Sequence, residues 1–162
     1  MKVNGERVYL PSPNHHGLFL MKHMANHFCA SVITMRQLLD WAFFVEKHTK
    51  VVDWKWLLSV IEGYNMMDFF NCINAICVEN LGFPSSIFPC VQFNPNIKEM
   101  ILSDIFLPTH HGVMSKNILS RVYYKIRRWR SNAWKHELCY KESLWSAFWS
   151  GVWGHLLKPA SI

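Results

Sequence analysis

From Gly17 onward the apolar positions recur with a helical period: Leu20, Met24 and Phe28 fall on one face, with His23 and His27 one turn apart beside them. This predicts a first helix over about residues 17–30. Thr34 followed three residues later by Gln37 has the pattern of a capping box, in which a hydroxyl and an amide satisfy each other's backbone N–H. Leu38, Leu39, Phe43 and Val45 then carry a second helix to about His48. Asp53 caps a third helix that Gly63 ends, and Asn65 with Asp68 opens a fourth that runs to Asn80 and stops at Leu81-Gly82-Phe83-Pro84. Pro84, Pro89 and Pro95 break the next stretch into a loop. After it, Asn96 and Glu99 form the box that opens a short helix stopped by Pro108.

Beyond Pro108, residues 118–130 read as an amphipathic helix with a cationic face, and residues 144–157 as a last helix ended by Pro159. Before the first helix the pattern differs. Residues 3–10 place Asn4-Gly5 among β-branched and aromatic residues, a hairpin or edge-strand signal closed by Pro11 and Pro13. No internal repeat appears. The expected fold is mainly α, a compact bundle of six or seven helices with at most a short N-terminal strand or hairpin. Residues 1–14 form a strand and linker, and residues 15–159 form the helical domain.

The chain has 162 residues, 51% of them hydrophobic and 17% charged, which fits one globular domain and excludes a disordered tail. Residues 1–9 lack the apolar core of a secretory signal. The charge-free stretch at residues 143–157 contains His155 and two glycines and is shorter than the ~20 residues a bilayer span needs. Five cysteines without a C-x-x-C pair read as reduced core residues, and the chain as cytoplasmic. Net charge is +6, and its distribution matters more than its size. The first 115 residues hold eight basic and nine acidic residues, so the whole excess lies in the tail.

Two groups of residues carry candidate chemistry. The first is His23, His27, Arg36, Asp40 and Trp41: the imidazoles lie one turn apart on one helix, as do Arg36 and Asp40 on the next, and an antiparallel helix pair would bring them together. Three uses fit them. The histidines can hydrogen-bond within a helix interface beside a structural Arg36–Asp40 ion pair; Arg36 can hold an anion such as phosphate with Asp40 orienting it; or His23, His27 and Asp40 can ligate a metal, as in a metallohydrolase, although no third ligand is fixed by spacing. The second group is the tail cations Arg121, Lys125, Arg127, Arg128 and Arg130 with Tyr123, Tyr124, Trp129 and Trp134, a mixture that can hold phosphates and stack bases or lie on an anionic surface. The stripe Trp145, Trp149 and Trp153 reads as core or interface. His15-His16 and His110-His111 read as solvated loop pairs.

Several reactions lack their usual residues. There is no glycine-rich phosphate loop, no G-x-S-x-G elbow and no Gly-Ser dipeptide. No two of the eleven acidic residues are separated by a single residue, so the D-x-D pair that commonly holds two cations for nucleotidyl transfer does not occur.

The sequence Leu20-Met21-Lys22-His23-Met24-Ala25-Asn26-His27-Phe28, then Met35-Arg36-Gln37-Leu38-Leu39-Asp40-Trp41, Val52-Asp53-Trp54 and Asn80-Leu81-Gly82-Phe83 resembles the C-terminal, mostly helical half of the uncharacterised nucleotidyltransferase family found in Bacteroides-type polysaccharide loci. His136-Glu137-Leu138-Cys139-Tyr140-Lys141-Glu142-Ser143 and His155-Leu156-Leu157-Lys158-Pro159 look like that family's ending. The resemblance implies a partner α/β domain bearing a Gly-Ser turn and metal-binding aspartates, with residues 3–10 as the last strand of that sheet. It implies Mg and a nucleoside triphosphate only for a full-length relative, and no cofactor in this chain.

The expected function is therefore a helical accessory or substrate-binding part of a nucleotidyltransferase-like protein, inactive alone, with a nucleotide or other phosphate-bearing ligand and a separate catalytic domain as partners. The alternative is a basic module docking nucleic acid or an anionic surface through its Arg/Trp-rich tail. Exposed tryptophans would favour self-association.

Overall fold

The computed structural model describes residues 2–3, 6–7, 9–89, 93–107, 123, 126–127, 129–143, 145–146 and 149. The chain opens with β1 (Lys2–Val3) and β2 (Glu6–Arg7), antiparallel, with Lys2 opposite Arg7 and Val3 opposite Glu6. Lys2–Val3 and Glu6–Arg7 thus pair with each other, a short hairpin rather than a single strand.

Helix α1 (Pro13–Ala30) starts four residues before the apolar repeat does, because its start signal is polar: Ser12 caps it by accepting the His15 N–H, and Pro13 occupies the first turn. His15-His16 therefore belong to a helical turn and not to a loop. Helix α2 (Met35–His48) begins with the expected capping box, Gln37 N–H to Thr34 Oγ1 at 3.4 Å and Thr34 N–H to Gln37 Oε1 at 2.9 Å. Helix α3 (Trp54–Gly63) is capped by Asp53, whose own N–H donates to Asn14 Oδ1 at 2.9 Å and so ties the start of α3 to the start of α1.

Asn65 does not open the next helix. It stands in the left-handed region (φ 58°), with its N–H bonded to Glu62 O, and so terminates α3. Helix α4 (Met67–Glu79) follows without a side-chain cap, with Asp68 in its first turn. Gly82 then turns the chain at φ 77°, as its place after the helix predicts. A 3₁₀ turn (Ser85–Ile87) leads to α5 (Pro95–Phe106), where Asn94 is the cap and Pro95 the first residue; the helix starts before the Asn96–Glu99 box. Helix α6 (Ala133–Tyr140) has no counterpart among the expected elements. Of the two expected tail helices, the described residues Tyr123, Ile126, Arg127, Trp129, Arg130, Trp145, Ser146 and Trp149 are helical, and the rest lie outside the described residues.

The bundle is held by one apolar core. α1 packs on α2, α3 and α6, and α4 packs on α2, α3, α5 and α6. Met21, Phe28, Leu38, Trp41, Leu57, Phe69, Phe70 and Ile73 are fully buried, each large side chain contributing about 1.5–3 kcal/mol. Gly17 lets α1 approach α2: a Cβ there would stand 2.9 Å from Phe44 Cε1. α6 is anchored by polar groups. The Lys135 ammonium is buried, donates to Ser31 O and to Asp104 Oδ2 at 2.6 Å each, and lies 4.8 Å from the Phe28 ring, while Asn132 Nδ2 donates to Cys29 O.

Candidate functional site

α1 and α2 are joined by residues 31–34 and pack with His16 edge-on to Phe44, ring centroids 5.2 Å apart. Each helix turns its apolar stripe inward: Met21, Met24, Ala25 and Phe28 from α1, and Leu38, Trp41, Ala42 and Val45 from α2. The opposite sides carry the candidate residues. His23, His27, Arg36 and Asp40 are all exposed. The two imidazoles touch, centroids 4.4 Å apart and inclined by 71°, and Phe19 stacks on His23 at 5.3 Å.

The structure separates the remaining expectations. Arg36 and Asp40 form no ion pair among the described residues, so the structural-pair use is not realised. No hydrogen bond among the described residues joins either imidazole to Arg36 or Asp40. Nor do His23, His27 and Asp40 converge on a metal: the described residues contain no group of three or more His, Cys, Asp or Glu placed to hold one. Trp41 points inward. It is fully buried, and its Nε1–H donates to Asn74 Oδ1 at 2.9 Å.

In the tail, Arg127 and Arg130 are exposed on helical residues beside exposed Tyr123 and Ile126; Arg121, Lys125 and Arg128 lie outside the described residues. Arg130 lines a cleft of about 780 Å³ together with Trp129, Trp134, Trp145, Glu137 and Glu142. His15 shares a 2.8 Å hydrogen bond with Ser12 Oγ and lies against Trp56; His110-His111 lie outside the described residues. Cys29, Cys72, Cys77 and Cys139 are free and buried, as expected of core thiols, and Cys90 lies outside the described residues. Burial pushes the Cys72 thiol up to about 11 and Cys77 to about 12, and raises Cys139 as well, so none of these three is poised as a thiolate nucleophile.

Periodicity alone misses Asn74 and Lys135, because a buried polar side chain interrupts the apolar pattern that marks a core. A signal was present in Asn74, which interrupts the apolar run Ile73, Ala75, Ile76 and Cys77.

A family model described as an uncharacterised nucleotidyltransferase matches residues 1–82. The chain belongs to that family. The nucleotidyltransferase-family match takes in the hairpin and α1 through α4, and therefore the whole His23, His27, Arg36, Asp40 and Trp41 set. The basic tail and the residues 136–143 and 155–159 lie beyond it. No curated protein and no solved structure matches this nucleotidyltransferase-family chain. No helix among its described residues is long and apolar enough to cross a membrane.

Proposed function

We propose that the chain is the helical, substrate-binding part of a nucleotidyltransferase-related protein of the cytoplasm, in which the α1–α2 surface contacts a phosphate-bearing ligand while the carboxylates for catalysis come from another domain. One observation carries this reading. Inside the family-matched segment, His23, His27, Arg36 and Asp40 stand on the solvent sides of two helices whose other sides build the core, so the fold does not use their polar groups. Arg36 has the planar fork that suits a phosphate and no carboxylate within ion-pair distance among the described residues. The magnesium that nucleotidyl transfer uses has no fitting donor set among the described residues, whose acids do not cluster, so no step of transfer is assigned to this chain.

The test is calorimetric titration of the purified chain with a nucleoside triphosphate, beside Arg36→Ala. Loss of charge-assisted hydrogen bonds worth about 1.5–3 kcal/mol should weaken binding roughly 10- to 100-fold. An exposed, unpaired arginine contributes little to folding, so stability should change by no more than about 0.5 kcal/mol. Equal affinity in the variant, or no binding by the parent chain, overturns the ligand-binding reading. Turnover of the triphosphate by the chain alone overturns its accessory role.

A second reading has its own observation: Tyr123, Trp145 and Trp149 are exposed, as are Arg127 and Arg130, the composition of a surface that docks single-stranded nucleic acid. Three to five phosphate contacts would lower affinity for a fluorescent oligonucleotide by about 20- to 100-fold between 50 and 200 mM salt. Weak binding at both salt concentrations eliminates this module.

A further inference from the structure

We propose that His23 and His27 form a two-imidazole clamp for a divalent transition-metal ion, of the copper, nickel or zinc class, on the outer face of α1. The clamp uses two of the side chains that the phosphate reading also draws on, but it does not need Arg36 and its test is separate from that of the phosphate reading. Residues four apart on a helix stand one above the other, and here the two ring centroids lie 4.4 Å apart, close enough for a rotation about the side-chain bonds to turn one nitrogen of each ring toward a common ion. The rings are held as well as exposed. His23 lies ten residues inside an 18-residue helix, and Phe19, one turn earlier, stacks on its ring at an inclination of only 16°. On the same stretch of helix Met24, Ala25 and Phe28 are buried in the core, so the backbone under the clamp is fixed before any ion arrives.

Neither imidazole has a hydrogen-bond partner among the described residues, which leaves the ring nitrogens available as donors. Two imidazole nitrogen ligands select for borderline ions and against magnesium, which requires oxygen ligands. Two protein ligands leave the remaining positions to water or to oxygens of a bound molecule, so the site is an exchangeable one and not a closed structural centre. The neighbouring pair His15-His16 does not offer the same clamp: adjacent helical residues diverge, His15 is engaged by Ser12 Oγ, and the two rings rest on Trp56 and Phe44 respectively.

The test uses the tag-free full chain titrated separately with copper(II), nickel(II), zinc(II) and magnesium(II), followed by calorimetry and by the shift in melting temperature. Copper should bind more tightly than zinc, and magnesium should not bind. His27→Ala and His23→Ala should each fold as the parent does and lose at least about tenfold in copper affinity, no less than the loss of an outer-shell partner costs. His16→Ala should keep the parent affinity. A saturable copper site that survives both His23→Ala and His27→Ala unchanged overturns the assignment, as does the absence of any saturable copper binding in the parent chain.

Discussion

Lys135→Ala is expected to destabilise the protein by about 3–5 kcal/mol, the usual cost of removing one member of a buried ion pair. For a domain of this size that is a fall in melting temperature of roughly 6–20 °C. The cause is not that the pair itself is strongly favourable. Lys135 is only 2% exposed and its partner Asp104 only 15%, and bringing these charges out of water offsets much of their mutual attraction. The cost appears when one charge goes and the other stays. Without the ammonium, Asp104 is left partly buried and unpaired, Ser31 O loses a 2.6 Å donor, and the Phe28 face loses its cation. Lys135→Met, which keeps the length of the stem, should therefore still be strongly destabilised. Adding Asp104→Leu should restore a large part of the loss, because a well-packed apolar pair can replace a buried ionic one. Urea denaturation of the parent, the two single variants and the double variant measures the coupling. A Lys135→Met variant within about 1 kcal/mol of the parent would show that the ammonium is not what seats α6 on α1 and α5.

The same lysine explains why α6 is not legible in the sequence. A helix is recognised by apolar residues spaced along one face, and α6 presents Leu138 and Cys139 to the core together with a lysine that the same criterion assigns to solvent. α2 and α3 are legible because their start signals are local: Thr34 with Gln37, and Asp53, satisfy backbone groups within three residues and need no tertiary partner. Asn65, expected to open α4, instead ends α3 for a different reason. Asparagine is favoured both as a helix cap and in the left-handed region, and only the neighbouring helix end at Gly63 decides which. At the candidate site the spacing of His23 with His27 and of Arg36 with Asp40 fixed their shared faces, since that follows from helix geometry alone. It did not separate Trp41, one residue from Asp40, because a single step of about 100° around the helix moves a side chain from solvent to core.

That step makes Trp41 the converse of Arg36. Trp41 is fully buried, lies against Phe44 and Phe70 with ring centroids 5.6 and 5.8 Å away, and donates through Nε1 to Asn74, whose amide in turn donates to Pro89 O at 2.9 Å. One side chain thereby connects α2 to α4 and, through Asn74, to the loop before α5. Trp41→Ala should cost about 3–5 kcal/mol through the cavity alone, with the lost indole donor adding about 1 kcal/mol. Trp41→Phe retains most of the ring contacts and should cost about 1–2 kcal/mol. The more telling measurement combines stability with ligand binding. At a temperature where Trp41→Phe remains folded, it should bind a nucleoside triphosphate as the parent does, whereas Arg36→Ala should bind weakly while melting normally. Loss of binding in folded Trp41→Phe would mean that the ligand surface depends on the packing of the indole under α2 and not on the exposed residues alone.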